Sequence, residues 1–208
     1  DEGRSVAVDS TGNCYFTGYF SGASAFDDIQ LADTATAHLF VAKLTSEGRY
    51  TWVKSLPQAR AFGFDLAVSS TGSVYVAGQF NGTLLAGASS LVAKDNDLLV
   101  AKFASDGEFV WANRAGGDGS ETGFAIALNT SEEPYVAGFF TSQSAEFGCT
   151  ALARTGLNEE IFLAKLSSVS AILTSPKSQS VVHGSRVQFT AQAASDSAAY
   201  QWQHNGQA

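Results

Sequence analysis

The chain is poor in charge, poor in cysteine and without any long apolar run, and each shortage removes a class of protein. Charged residues are only 15% of the 208, and 12 Lys and Arg against 20 Asp and Glu leave a formal net charge of −8. Such a balance repels phosphate backbones, because nucleic-acid affinity rests on Lys and Arg displacing counterions, so no nucleic-acid partner is expected. No stretch approaches the roughly 18 consecutive apolar residues of a membrane helix, so no membrane span is expected in this segment. The two cysteines, Cys14 and Cys149, lie far apart and fit neither a zinc-ligand spacing nor a dense disulfide framework. The opening Asp-Glu-Gly-Arg-Ser lacks the basic start and apolar stretch of a signal peptide, so an exported parent is expected to carry its signal upstream.

Reactive motifs are missing as well. No G-x-S-x-G frames a serine nucleophile, and Gly116-Gly117-Asp118-Gly119-Ser120 lacks the Lys-Ser or Lys-Thr and the following helix of a phosphate loop. His38, His183 and His204 fall in unrelated segments, none at metal-ligand spacing, and read as exposed loop or strand-end residues. Asp27-Asp28 and Asp95-Asn96-Asp97 carry calcium-capable oxygens, but no recognised calcium loop frames them and a solvated loop is the simpler reading. The expected inventory of catalytic, cofactor-binding and metal residues is therefore empty, and no cofactor is expected.

What the chain does have is 45% hydrophobic residues and 20 glycines, the balance of short strands joined by tight turns. An all-β fold follows. Self-similarity organises it, with a period near sixty. Tyr15, Tyr75 and Tyr135 are spaced 60 and 60, Lys43, Lys102 and Lys165 are spaced 59 and 63, and Trp52 and Trp111 are 59 apart.

Each copy opens on a glycine (Gly3, Gly63, Gly123) followed by Val6-Ala7-Val8, Leu66-Ala67-Val68 or Ile126-Ala127-Leu128, a short strand with a small residue at its centre. A hairpin turn follows, Asp9-Ser10-Thr11-Gly12-Asn13 or Ser69-Ser70-Thr71-Gly72-Ser73. In the third copy Asn129-Thr130-Ser131-Glu132-Glu133 has no glycine, and a different turn geometry is expected there. Second strands end on Gly18, Gly78 and Gly138, where a bulge or close backbone approach is expected. Loops at 21–37, 81–96 and 141–159 then differ between copies. Third strands carry His38-Leu39-Phe40-Val41-Ala42-Lys43 and its counterparts from Asp97 and Glu160, and fourth strands carry Trp52 or Trp111.

Four short strands per copy cannot bury both faces of one small sheet, so copies must stack on one another. The pattern of turn, Tyr, Gly, Ala-Lys and Trp resembles the bacterial SBBP β-propeller repeat over roughly residues 3–170. The resemblance implies three four-stranded blades within 1–172, at about 1–56, 57–115 and 116–172. The last departs from the pattern, with Ser168-Val169-Ser170-Ala171 where the tryptophan segment belongs. It also implies an exported or surface location, often beside immunoglobulin-like domains, and brings no catalytic residues. From 173 to 208 periodicity stops. There Val187-Gln188-Phe189-Thr190-Ala191 and Tyr200-Gln201-Trp202-Gln203 look like the opening strands of an incomplete immunoglobulin-like sandwich, with Ala191 in place of the first cysteine.

The function expected is a non-catalytic binding or adhesion module, extracellular or at a cell surface, that takes a protein or glycan ligand on its variable loops. One alternative is a structural assembly component, a surface-layer or filament subunit self-associating through open blade edges. Another is a propeller-fold carbohydrate-active enzyme, which requires paired carboxylates that the sequence does not reveal. Tyr19, Phe20, Phe62, Phe64, Phe80, Phe139 and Phe140 are candidate groove aromatics. The recurrence of Phe20, Phe80 and Phe140 at one repeat position argues for packing.

Overall fold

β-branched and aromatic runs separated by polar turns produce antiparallel strands throughout, and no helix occurs among the described residues. The computed structural model describes residues 1–31, 36–56, 59–87, 89–166, 172–174 and 192–193. They fall in two units, Asp1–Leu166 and Ser167–Ala208.

In the first repeat, β1 (Glu2–Val8), β2 (Cys14–Phe20), β5 (His38–Leu44) and β6 (Tyr50–Ser55) form one sheet in that order, while β3 (Ser24–Phe26) and β4 (Ile29–Leu31) make a separate hairpin. The second repeat keeps the order with β7 (Arg60–Val68), β8 (Val74–Ala86), β9 (Ser89–Phe103) and β10 (Phe109–Gly116). Its hairpin is continuous with β8 and β9, which run to 13 and 15 residues. In the third, β11 (Glu121–Leu128), β12 (Pro134–Phe140) and β15 (Glu160–Lys165) form a three-stranded sheet. Its hairpin, β13 (Ser144–Phe147) with β14 (Thr150–Ala153), leaves that sheet and pairs with β10 of the second repeat. The segment 168–171, where a fourth strand is expected, lies outside the described residues. In the second unit β16 (Ile172–Thr174) pairs with β17 (Gln192–Ala193). The remaining immunoglobulin-like features, Ala191 and Trp202 among them, lie outside the described residues, as do His183 and His204.

The strand register explains the repeat spacing. Tyr15 lies opposite Ala7 and Lys43, and Lys43 lies opposite Trp52. The row recurs as Ala67, Tyr75, Lys102 and Trp111, and as Ala127, Tyr135 and Lys165. Tyr and Trp meet edge-on, with centroids 6.3 Å apart in the first row and 6.1 Å in the second. Each lysine ammonium sits 4.9 to 5.8 Å from its tyrosine ring. Such contacts contribute about 0.5–1.5 kcal/mol each beyond burial, which accounts for the same residues at the same register.

The third turn does not differ as expected. Glu132 N–H donates to Asn129 O at 3.0 Å, as Gly12 does to Asp9 and Gly72 to Ser69. Glu132 takes the left-handed backbone (φ 59°) that Gly12 and Gly72 take (87° and 82°). The Asn129 side chain accepts from the Ser131 and Glu133 N–H groups, the service that Asp9 gives Thr11 and Asn13. A closed turn loop holds the strained residue in place.

Successive repeats pack the third strand of one against the sheet of the next. Leu39 and Val41 join Leu66, Val74, Val76 and Phe103 in one buried cluster, and Leu98 and Val100 join Ile126, Val136 and Phe140 in another. Each fully buried side chain of this size contributes on the order of 1.5–3 kcal/mol. Polar links run beside the apolar ones. Trp52 Nε1 donates to Ser105 O at 3.2 Å, and Asp65 accepts from Ser5 Oγ at 2.5 Å and from Ile126 N–H at 2.8 Å, tying the first strands of all three repeats together.

Candidate binding surface

Each repeat has two ends. Tight turns close one, and the divergent hairpins leave from the other. The segments 21–37, 81–96 and 141–159 are the sites of those hairpins, so the variable loops are in large part ordered strand pairs.

At the hairpin end the first strand of every repeat carries a bulge. The pairing shifts between Gly3 and Ser5, between Gly63 and Asp65, and between Gly123 and Ala125. Opposite sit Gly18, Gly78 and Gly138, where a Cβ would run into the Glu2, Phe62 or Thr122 carbonyl oxygen. Only glycine admits that approach, and the residue pushed out of register is re-aimed. The three residues concerned are Arg4, Phe64 and Phe124.

These residues and their neighbours form a continuous band over all three repeats. The Arg4 guanidinium lies 5.5 Å from the Phe64 ring centroid and 5.9 Å from that of Tyr19. Tyr19 meets Phe62 edge-on at 4.8 Å, Phe62 stacks on Phe64 within 8° of parallel, and Arg60 covers Phe62 at 4.7 Å. Phe64 contacts Phe124 at 5.5 Å, and Phe124 contacts Phe139 at 5.6 Å. Phe124 is 55% exposed. Tyr19, Phe64 and Phe139 are half-buried, while Arg4 and Arg60 are exposed. Glu2 fixes one end by accepting from Tyr19 Oη at 2.7 Å and from Arg4 at 2.9 Å. Ring faces flanked by charged donors and acceptors make a surface for stacking with polar orientation.

The expected aromatics therefore separate into two groups. Phe20, Phe80 and Phe140 are buried at 3% exposure or less, as packing residues. Tyr19, Phe62, Phe64 and Phe139 join the band together with Arg4, Arg60 and Phe124, which sequence reasoning did not select. The available signal was a residue directly after the opening glycine of each copy, where strict alternation breaks.

His38 is not an exposed histidine. It is 6% exposed at the start of β5, with Nδ1 3.2 Å from Leu56 O and Nε2 3.0 Å from Thr36 Oγ1. Asp97, read as a loop residue, is fully buried, paired with Arg114 and close enough to Glu121 to feel its charge. Burial pushes the Asp97 carboxyl above its ordinary value, with Arg114 opposing. Glu121, also fully buried, accepts from Gly117 N–H at 2.9 Å and Ser142 N–H at 3.2 Å. Gly119 and Ser120 N–H groups donate to Ser142 Oγ and Thr141 Oγ1, so this glycine-rich loop spends its donors on the protein itself. Cys14 is half-buried, Cys149 is exposed, and both are free thiols. Among the described residues no three His, Cys, Asp or Glu side chains gather as a metal site, and no helix is long and apolar enough to cross a membrane. No family model and no curated protein matches the chain.

Proposed function

We propose that this chain is a non-catalytic binding module built from β-propeller blades of the SBBP kind, working outside the cell or at its surface, with the aromatic band as its ligand-contacting surface. The observation that carries the reading is the run of contacting rings from Tyr19 through Phe62, Phe64 and Phe124 to Phe139, which crosses three repeats and is partly open to solvent. Stacked ring faces suit the apolar C–H faces of sugar rings, and Arg4, Arg60 and Glu2 supply donors and acceptors for hydroxyl groups. An extended neutral glycan fits this chemistry, and the chain's net charge of −8 disfavours a polyanion.

The carboxylates that approach one another, Asp97 and Glu121, are fully buried and occupied by Arg114 and backbone N–H groups, which weighs against the glycosidase alternative. A glycan array followed by calorimetry with the best neutral oligosaccharide tests the proposal. Phe124→Ala should weaken binding at least about tenfold, because truncating a central aromatic contact costs more than 1 kcal/mol. Leu157→Ala, 94% exposed and in none of the band's ring contacts, should leave it unchanged. Absence of any glycan hit, or equal loss in both variants, overturns the reading.

A further inference from the structure

The third variable hairpin carries a cation that the protein leaves without an acceptor. β14 ends on Ala153, and the Arg154 N–H donates to the Gln143 carbonyl at 3.0 Å, which closes the base of the hairpin and fixes where the arginine stem departs. The loop that follows is tied to the start of β15. Glu160 Oε1 accepts there from Thr155 N–H at 2.6 Å, Thr155 Oγ1 at 2.9 Å and Gly156 N–H at 2.8 Å. Arg4, Lys54, Arg114 and Lys165 each reach a carboxylate, whereas Arg154 Nε is enclosed with no hydrogen-bond partner. With Nε shut off from water the charge is partly desolvated and lacks a counter-ion. An anion on its two outer nitrogens therefore gains more than it would on a fully hydrated arginine.

Arg154, Asn158 and Glu159 line an open pocket of about 530 Å³ together with Thr141. Thr141 Oγ1 is already spent on Ser120, accepting from its N–H at 2.7 Å and donating to its carbonyl at 3.2 Å. Arg154 is half-buried, while Asn158 and Glu159 are exposed. The pocket thus offers a ligand a fork of donors, an amide that both donates and accepts, and a carboxylate. Glu159 makes the site selective. It repels a bare anion drawn to Arg154, and it accepts one that brings hydroxyl groups beside its carboxylate. The volume lies in the range of small-molecule sites, roughly 300–1,000 Å³, and holds a hexose ring, whereas an amino acid as small as alanine fills little of it.

We propose that this pocket binds a sugar acid, with its carboxylate on the outer nitrogens of Arg154 and its hydroxyl groups on Asn158 and Glu159. None of the band's rings lines the pocket, so the proposal stands apart from the glycan reading above.

Calorimetry and NMR titration of the full chain with D-glucuronate, D-glucose, acetate and L-alanine test it. D-Glucuronate should bind with a Kd of about 1 mM or tighter, and the other three at least about tenfold more weakly. Glucose lacks the carboxylate, acetate lacks the hydroxyl groups, and alanine is too small to reach all three side chains. Arg154→Gln should lower glucuronate affinity about tenfold or more, and Arg154→Lys, which keeps stem and charge but not the fork, should lower it several-fold. Glu159→Ala should narrow the preference for glucuronate over acetate, because it removes both the repulsion and a hydroxyl acceptor. Thermal melts check the fold of each variant, and Arg154→Lys carries the test if Arg154→Gln melts early. No glucuronate binding up to about 10 mM, binding of glucose, acetate or alanine as tight as that of glucuronate, or unchanged affinity in the Arg154 variants overturns the proposal.

Discussion

The seam between the first and second repeats and the seam between the second and third join equivalent strands with different chemistry. At the first, His38 opens the third strand and Ala61 stands in the facing first strand, and Trp52 reaches over to the Ser105 carbonyl. At the second, the matching positions hold Asp97 and Glu121, two fully buried carboxylates, with Arg114 and the backbone N–H groups of Gly117 and Ser142 around them. One seam rests on apolar burial with polar links at part-buried and exposed positions, Ser5 to Asp65, Trp52 to Ser105 and Lys54 to Glu108. The other buries two carboxylates against one guanidinium and backbone donors, with Asp97 Oδ1 left without a hydrogen-bond partner, so loss of one member leaves an uncompensated ion. A repeat architecture thus keeps its geometry while the chemistry of each junction is free to change.

The largest test of that contrast is Arg114→Met, which keeps the packed stem and removes the charge. It should cost about 3–5 kcal/mol in urea denaturation, because Asp97 is left buried without its cation. A loss under about 1 kcal/mol would mean that Asp97 is already protonated in the folded chain and that the seams differ less than their residues suggest. Trp52→Phe, the corresponding break in the first seam, should cost only about 1–2 kcal/mol, from one hydrogen bond and some contact area. Equal losses in the two variants would erase the distinction.

Glu132→Gly should stabilise slightly, by roughly 0.5 kcal/mol, since glycine occupies left-handed backbone without strain. Destabilisation instead would show that the Glu132 carboxylate, 3.0 Å from Ser70 Oγ across the second seam, outweighs the backbone cost.

The finest test is the pH dependence of Asp97→Asn measured against the parent. Burial holds the Asp97 carboxyl above its unfolded value, so over that interval the folded chain binds the proton more readily than the unfolded one. Parent stability relative to the variant should therefore fall as pH rises through the interval and recover as pH drops toward about 4. Asp9, Glu133 and Glu160 are held below their ordinary values by hydrogen bonds to Asn13, Lys165 and Gly156 respectively. Their contribution is lost in acid in both proteins and cancels in the difference. A difference flat in pH would mean that Asp97 carries no shift.

Features set by near neighbours were legible in the sequence. The all-β class and the regular return of Tyr, Lys and Trp correspond to strands and to cross-strand rows, because register converts a spacing of sixty into a repeated contact. Gly18, Gly78 and Gly138 were legible as positions of close backbone approach, because an approach that excludes Cβ leaves no other residue. The third turn was misjudged because Asn129 performs from its side chain the closure that a glycine pattern alone does not show. His38 and Asp97 were misplaced for a related reason: each lies beside a variable hairpin, and the partners that enclose it, Thr36 and Leu56 for His38 and Arg114 for Asp97, come together only in the fold.

The sequence by itself determined the strands, their turns and the rows that bind each small sheet, since these depend on residues adjacent along the chain or brought opposite by one hairpin. Tertiary structure alone decided which faces are covered. Leu39, Leu98 and Ile161 are similar side chains at one position of one repeat, yet they are 0%, 2% and 90% exposed. Nothing within a repeat distinguishes them. Burial belongs to a pair of surfaces, and the second surface comes from a different copy of the unit. The aromatic band arises in the same way, from three bulged residues some sixty positions apart that become neighbours only when the repeats stand side by side.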